Sequence, residues 1–304
     1  MMHKSLLHAI GNTPLVRVDF GTPPTIYAKL EYLNPGGSVK DRSALFMIEQ
    51  AEQRGILRPG GTIIDASSGN HGIAIAMIGA MKGYKVIITT TNKFSPEKLA
   101  AIKAYGAEIV MCPVTDLVSD PNSYHSTAVR IHKETPNSFM PNQYYNIDNA
   151  LGHYTLLGPE IWRQTNGTVT HFFAAAGTGG TVSGAGKYLK EQNQNTRVIA
   201  LDSVHSFRAT KGDPKPYKVE GMGVDFDNEV LNLSVIDEFF CVTDDQALGM
   251  LKPMAGSHGL LIGPSSGAVA YGVREYSKNL SKDDVVVMIF GDSGRAYLSK
   301  YFMD

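Results

Sequence analysis

Cysteine is scarce in this chain of 304 residues, and charge of either sign is nearly balanced. Cys112 and Cys241 stand apart without CxxC spacing, so neither a zinc site nor a disulfide framework is expected, and two isolated cysteines fit a reducing cytosol. With a net charge of −1 and no basic block, neither nucleic acid nor a membrane surface is expected as a partner. No apolar run reaches the length of a membrane span or a secretory signal. We therefore expect a cytoplasmic protein without a metal site.

Short strands rich in Val and Ile alternate with helical patterns along the whole chain. This alternation predicts an α/β fold in which mostly parallel sheets are flanked by helices, and the length favours two domains or one large unit. An irregular stretch, 203–223, carries several glycines and prolines and is predicted to be a mobile flap over an active site. The predicted strands are 26–31, 62–66, 85–89, 108–112, 169–174, 197–201 and 285–290.

Lys40 follows a tight turn, 34–39, and begins a predicted helix that ends near residue 55. Ser38 is predicted to be the N-cap of this helix, with Asp41 as a weak capping partner. An ammonium is not stabilised in a first helical turn, because the helix dipole is positive there. We therefore predict a neutral, reactive amine at Lys40, as imine formation with a carbonyl compound requires. The alternative is an ordinary surface lysine.

Three glycine-bearing loops, 67–72, 177–181 and 263–267, each follow a strand or begin a helix. In open parallel sheets, ligands bind beyond the carboxyl ends of the strands. The loop from Gly177 to Thr181 is predicted to cradle a phosphate with its backbone N–H groups and threonine hydroxyls. The signatures GxxxxGK[ST] and GxGxxG with a downstream acidic residue are absent, so this phosphate is not expected to belong to ATP or NAD.

The other two loops carry hydroxyl and amide groups suited to an aromatic ring and a carboxylate. Ser68 and neighbouring N–H groups are predicted to hold a carboxylate, and Asn70 to reach a phenolic oxygen. Ser265 or Ser266 is predicted to meet a ring nitrogen, although plain helix caps would explain either loop alone. A reactive lysine, a phosphate cradle and partners for a heteroaromatic ring together predict pyridoxal 5'-phosphate as the cofactor.

Over nearly its whole length, the chain resembles the cysteine synthase and cystathionine β-synthase family of pyridoxal-phosphate enzymes of fold type II. The resemblance implies a large cofactor-binding domain, 1–40 with 145–304, a smaller mobile substrate-binding domain, 41–144, and a homodimer. It is carried by motifs that match in order and spacing: NTPL (12–15), KLEYLNPGGSVKDR (29–42), SSGNHGIA (67–74), AYGAEIV (104–110), GTGGT (177–181) and GPSSGA (263–268).

The same resemblance implies roles for individual residues. Lys40 would form the imine with the cofactor and act as the catalytic base. Asn70 would bind the cofactor's ring oxygen, and Ser265 the pyridine nitrogen. The implied phosphate-binding residues are Gly177, Thr178, Gly179, Gly180 and Thr181, and the implied substrate-binding residues are Ser67, Ser68, Gly69, His71, Gln143 and Gly221.

The implied reaction is a β-replacement that makes L-cysteine, or a related β-substituted alanine, from an O-activated L-serine such as O-acetylserine and sulfide, through an aminoacrylate. HYTLLGPEIW (153–162) is closer to bacterial cysteine synthase, whereas EGMGVDF (220–226) is closer to cystathionine β-synthase, except that Val224 replaces a tyrosine. Condensation of serine with homocysteine, synthesis of 2,3-diaminopropionate from O-phosphoserine, and serine or threonine dehydration are the alternatives. His71 replaces the family's usual threonine, and we expect it either to touch the substrate or to cap a helix.

Overall fold

Ten strands form two separate sheets in the described part of the chain. The structure is a computed structural model, and it describes residues 3–67, 69–92, 95–115 and 119–303. The strands are β1 (Leu15–Val18), β2 (Thr25–Leu30), β3 (Thr62–Ala66), β4 (Lys85–Thr90), β5 (Glu108–Met111), β6 (Ser138–Phe139), β7 (His171–Ala175), β8 (Arg197–Ser203), β9 (Glu238–Val242) and β10 (Val285–Phe290).

The two sheets differ in size and are mostly parallel. The larger has the strand order β1-β2-β10-β7-β8-β9, and the smaller has the order β5-β4-β3-β6. Strand β1 pairs antiparallel with β2, with Leu15 opposite Lys29, and the other pairs are parallel. This arrangement confirms the predicted α/β class. The smaller sheet lies within the predicted smaller domain, 41–144, while the division into two domains itself stays a prediction.

Helices separate most of the parallel strands, as is usual for crossover connections, whereas an irregular stretch joins β8 to β9. No helix in the described ranges is long and apolar enough to span a membrane. The helices are α1 (Lys40–Gln53), α2 (Asn70–Lys82), α3 (Pro96–Ala104), α4 (Tyr124–Glu134), α5 (Asp148–Gly152), α6 (Gly158–Gln164), α7 (Gly180–Gln192), α8 (Asp244–Leu248), α9 (Leu251–His258), α10 (Pro264–Tyr276) and α11 (Leu298–Tyr301).

Both faces of each sheet are buried against helices. Ile63 and Ile88 of the smaller sheet pack with Ile75 and Ile78 of α2 in one apolar cluster. The larger sheet buries Phe172 on one face and Phe173 on the other, in two different clusters. Burial on both faces explains why these strands are continuous apolar runs without alternation.

Several predicted bounds differ from the structure. Strand β7 begins at His171, two residues later than predicted, and β2 ends at Leu30 because Glu31 begins a 3-10 turn. Strands β1, β6 and β9 were not predicted from the sequence. A π-helical turn (His153–Leu157) joins α5 to α6. The stretch 203–223 is irregular beyond the end of β8, as predicted, and its mobility stays a prediction.

Candidate active site

Two adjoining cavities lie beyond the carboxyl ends of the strands. The larger has a volume of about 1020 Å³ and the smaller about 60 Å³. Lys40 and Asn70 belong to the walls of both. The larger cavity also contains predicted substrate-binding residues in its wall, namely Ser67, Gly69, His71, Gln143 and Gly221. Ser265, Gly179 and Thr181 line the smaller one.

The turn before Lys40 is closed by Asp41. Its carboxylate accepts a hydrogen bond from the Gly36 N–H at 2.5 Å, and any side chain at Gly36 would collide with it. The predicted Ser38–Asp41 capping arrangement is therefore wrong in detail. Val39 occupies the cap position, while the Ser38 hydroxyl accepts from the Lys40 N–H at 3.2 Å. A serine was the right residue type, but the turn places it one residue earlier.

Burial lowers the pKa of Lys40 to about 8, although the negative charge of Asp292 acts in the opposite direction. The shift is toward the neutral amine, in the predicted direction, and burial rather than the helix dipole is its main cause. Within the described residues, the ammonium makes one hydrogen bond, from Nζ to the Thr178 hydroxyl at 3.3 Å.

The loop from Gly177 to Thr181 connects β7 to α7, as expected for an anion site at a helix N-terminus. The N–H groups of Gly177, Thr178 and Gly179 make no hydrogen bond within the described ranges. A Cβ atom at Gly177 would lie 2.7 Å from the Gly221 carbonyl oxygen, so glycine is required where this loop meets the irregular stretch. Gly180 packs against the Asn149 side chain.

These residues fit pyridoxal 5'-phosphate. Unpaired backbone donors at the loop suit a phosphate, and the amine of Lys40 lies beside the same loop, where it can reach the cofactor's aldehyde. Ser265 is buried and its hydroxyl makes no hydrogen bond within the described residues, so it is free to bind a ring nitrogen. The individual binding roles stay predictions.

Asp292 was not assigned a role from the sequence, yet it lies in the wall of the smaller cavity. Its Oδ2 accepts hydrogen bonds from Asn70 Nδ2 at 2.7 Å and from the Tyr297 hydroxyl at 2.5 Å. Its Oδ1 has no partner within the described ranges. Burial raises the pKa of Asp292, and the nearby charge of Lys98 opposes this. Asn70 is therefore already positioned by a carboxylate.

The loop after β3 contains the predicted carboxylate-binding residues. The Ser67 hydroxyl accepts from the Gly72 N–H in the first turn of α2 at 2.9 Å, while its own proton is free to be donated. Gln143 is buried, and its Oε1 lacks a partner in the described part of the chain. Ser68, which is predicted to bind the substrate, lies outside the described residues.

His71 does not cap α2, so that interpretation is wrong. Gly69 occupies the cap position, and the His71 ring instead packs against Asp65, with 2.9 Å between Nδ1 and Oδ2. The ring is 2% exposed and Nε2 has no partner among the described residues.

Three further contacts around the cavity join residues that are far apart in sequence. Asn149 donates to the Thr178 hydroxyl at 3.1 Å, and His153 Nε2 lies 3.3 Å from the Thr181 hydroxyl. Lys98 forms an ion pair with Glu220 at 2.6 Å and so links α3 to the irregular stretch. No role was predicted from the sequence for Asn149, His153, Lys98 or Glu220, and no local motif identifies them.

Arg42, two residues after Lys40, lies in a fully buried ion network on the other side of α1. Its guanidinium binds Glu31 (Nε–Oε2, 2.6 Å) and Glu160 (Nη1–Oε2, 2.9 Å). Lys29 contacts Glu160 in the same network and donates to Gln164 Oε1 at 2.8 Å. This network fixes the start of α1 against β2 and α6.

Comparisons with known proteins agree with this site. Residues 6–292 match the family described as pyridoxal-phosphate dependent enzyme. The chain is 41% identical over 305 residues to a cystathionine beta-synthase of Apis mellifera, covering 97% of this chain and 60% of that protein. It is 39% identical over 299 residues to a cysteine synthase of Staphylococcus aureus (strain Mu50), covering 97% and 95% of the two chains.

Solved structures give the same result. An O-acetylserine dependent cystathionine beta-synthase from Helicobacter pylori is similar over 100% of both chains, with a TM-score of 0.93 and 33% identity. A hydrogen sulfide-producing enzyme from Fusobacterium nucleatum gives a TM-score of 0.92 at 35% identity, over 98% and 99% of the two chains. The chain therefore belongs to the pyridoxal-phosphate dependent enzymes, within the cysteine synthase and cystathionine β-synthase group, and these enzymes use pyridoxal 5'-phosphate.

Proposed function

We propose that this enzyme catalyses β-replacement on an O-activated L-serine such as O-acetylserine, with a thiol as the nucleophile and L-cysteine or a related β-substituted alanine as the product. The observation that supports this most is the position of Lys40, an amine with a lowered pKa in the same cavity as the phosphate loop and the loop after β3. This chain spans 60% of the length of the Apis mellifera cystathionine beta-synthase. The proposal therefore concerns the reaction of this chain and not the activity of the longer protein.

Different residues of the chain have different roles in the proposed reaction. Pyridoxal phosphate, when bound, withdraws electrons from the α-carbon of an attached amino acid and so acidifies its proton. Lys40 takes that proton on Nζ, and a positioned base of this kind contributes roughly 10²–10⁴ in rate. Ser265 offers the ring nitrogen a neutral hydroxyl, which leaves the ring a weak electron sink and favours loss of the β-substituent over racemisation. Ser67, Ser68, Gly69, Gln143 and Gly221 hold and enclose the substrate.

An amino-acid thiol, such as cysteine or homocysteine, is a second candidate nucleophile beside sulfide. The cavity is about 1020 Å³, at the upper end of ligand sites, and is far larger than sulfide needs. Its wall carries both signs of charge, with Lys218 and Lys300 near Glu220 and Asp225. Such a wall suits a zwitterion.

We also propose a cytoplasmic homodimer and a mobile 41–144 domain that closes on the substrate.

The test follows absorbance of the cofactor-loaded enzyme on mixing with L-serine, O-acetyl-L-serine or O-phospho-L-serine. An activated serine should change the spectrum, and sulfide, cysteine or homocysteine should reverse it and yield a product identified by mass spectrometry. Lys40→Ala should remove both steps. Ammonia and keto acid released from serine without any thiol would instead support a dehydratase, and release of 2,3-diaminopropionate would identify an amine nucleophile.

A further inference from the structure

Asp65 and His71 form a buried pair, and His71 lies in the wall of the larger cavity together with Lys40. Asp65 is in β3, His71 is in the first turn of α2, and they are 1% and 2% exposed. Within the described ranges, the Asp65 carboxylate has one side-chain hydrogen bond, at 2.9 Å to His71 Nδ1, and Nε2 is unpartnered. A carboxylate next to Nδ1 selects the tautomer with the proton on Nδ1. The lone pair is then on Nε2.

The other ionisable groups near Asp65 do not compensate its negative charge. Burial raises the pKa of Tyr124 and Tyr144, and Asp65 raises both further. Burial lowers the pKa of His125, which Asp65 only partly offsets. These three groups are therefore neutral near pH 7. The Asp65 carboxylate is thus available to stabilise an imidazolium at His71 when Nε2 takes up a proton.

The second half of the proposed reaction needs such a proton acceptor, and this step rests on the proposed function. When the thiol enters, Lys40 already carries the proton taken from the α-carbon and must return it there. Lys98 approaches the loop at Gly69, but its Nζ is held by Glu220 at 2.6 Å and by the Tyr297 hydroxyl at 2.9 Å. The thiol's proton therefore requires a different group.

We propose that His71, oriented by Asp65, accepts the proton of the incoming nucleophile at Nε2. The S–H bond breaks, and sulfur's electron pair forms the bond to the β-carbon. The α-carbon takes back the proton held by Lys40, and Nε2 gains the proton from sulfur. His71 then releases this proton to water after the product has left. His71 is the catalytic group of the pair, and Asp65 is a positioning residue.

His71→Asn tests this in the holoenzyme, because the asparagine amide can still donate to Asp65 but contains no base. In this variant, the reversal by L-cysteine at pH 7 should slow by roughly 10²-fold more than the absorbance change with O-acetyl-L-serine does. This deficit should narrow as the pH approaches the thiol's pKa of about 8.5, and added imidazole should restore part of the rate. Equal slowing of both halves, without imidazole rescue, would assign His71 a structural role only.

A second measurement is independent of turnover. Nitrogen-15 NMR of the histidine rings should show His71 with its proton on Nδ1 in wild-type holoenzyme, and Asp65→Asn should shift the population toward Nε2–H. A wild-type ring protonated on Nε2 alone would overturn the inference. If no activated serine changes the wild-type spectrum, the proposed function fails, while the NMR result still decides whether Asp65 prepares a free base at Nε2.

Discussion

Lys40 and Arg42 are two cations that are two residues apart on one helix, yet their environments are opposite. Arg42 is 1% exposed and makes charge-assisted hydrogen bonds to two carboxylates. Burial acts to lower its pKa, but Glu31 and Glu160 more than offset this and raise it. Within the described ranges Lys40 has a single hydroxyl partner, and burial lowers its pKa to about 8. The comparison shows that pairing with carboxylates raises the pKa of Arg42 at full burial, whereas burial lowers the pKa of Lys40, which has no carboxylate hydrogen bond.

The two sides of α1 also differ in how completely their buried polar groups are hydrogen-bonded. On the Arg42 side, Glu31 and Glu160 have all their oxygens bound within the described ranges. On the Lys40 side, Asp292, Gln143 and His71 each keep an unpartnered atom. Buried polar groups are normally satisfied, so the unsatisfied side is where ligand atoms are expected. One side anchors the helix, and the other faces the cavity of the candidate active site.

Among these tests of the two sides of α1, Arg42→Met is expected to have the largest effect on the free energy of unfolding. It leaves Glu31 and Glu160 buried with less compensation, so the free energy of unfolding should fall by about 3–5 kcal/mol. Urea denaturation followed by circular dichroism measures this. The matched control is Arg197→Met, because Arg197 and Glu238 form an exposed pair at 3.8 Å, and its loss should cost at most about 1 kcal/mol. Equal losses in the two variants would show that the buried network has no special role.

Lys40→Met should act in the opposite direction in the cofactor-free protein. The folded-state pKa of about 8 lies below the ordinary 10.5, so the folded protein disfavours the ammonium, and wild type should gain stability as pH rises from about 8 to 10.5. Lys40→Met should therefore stabilise at pH 7 by at most about 3 kcal/mol, and the advantage should vanish above pH 10.5.

Urea denaturation of both proteins across this pH range measures the difference. Lys85→Met, at the exposed ion pair with Glu108, is the control for loss of a lysine at the surface. A stability difference between wild type and Lys40→Met that does not change with pH would contradict the lowered pKa.

The two sides of α1 were also predictable to different degrees. The turn before Lys40 and the loop from Gly177 to Thr181 are short, and their glycines and caps act on neighbours in the chain, so residue types alone indicate them. The fold class followed from continuous apolar strands. The pairing of Asp65 with His71 joins a strand to a helix, and Lys98 meets Glu220 across 122 residues. Such contacts depend on how the elements pack, which local patterns do not specify.

Short strands were missed for a related reason. Strand β6 has two residues and β1 has four, too few to show a period, and each exists because a neighbouring strand offers hydrogen bonds. The predicted N-cap of α1 was wrong by one residue. Ser38 and Asp41 were the right polar residues, but Asp41 reaches back to Gly36, which only the folded turn brings close.

Thr178→Val is expected to have the smallest effect on stability. It tests the one hydrogen bond that Lys40 Nζ makes within the described residues. The hydroxyl accepts from Lys40 Nζ at 3.3 Å and from Asn149 at 3.1 Å, so its loss removes a partner of the ammonium. A net hydrogen bond is worth about 1 kcal/mol, which would lower the pKa of Lys40 further and widen the pH window of rising stability. Thr178→Ser keeps the hydroxyl and should match wild type. If Thr178→Val left the window unchanged, burial and the charge of Asp292 would set the pKa of Lys40 without a contribution from this hydrogen bond.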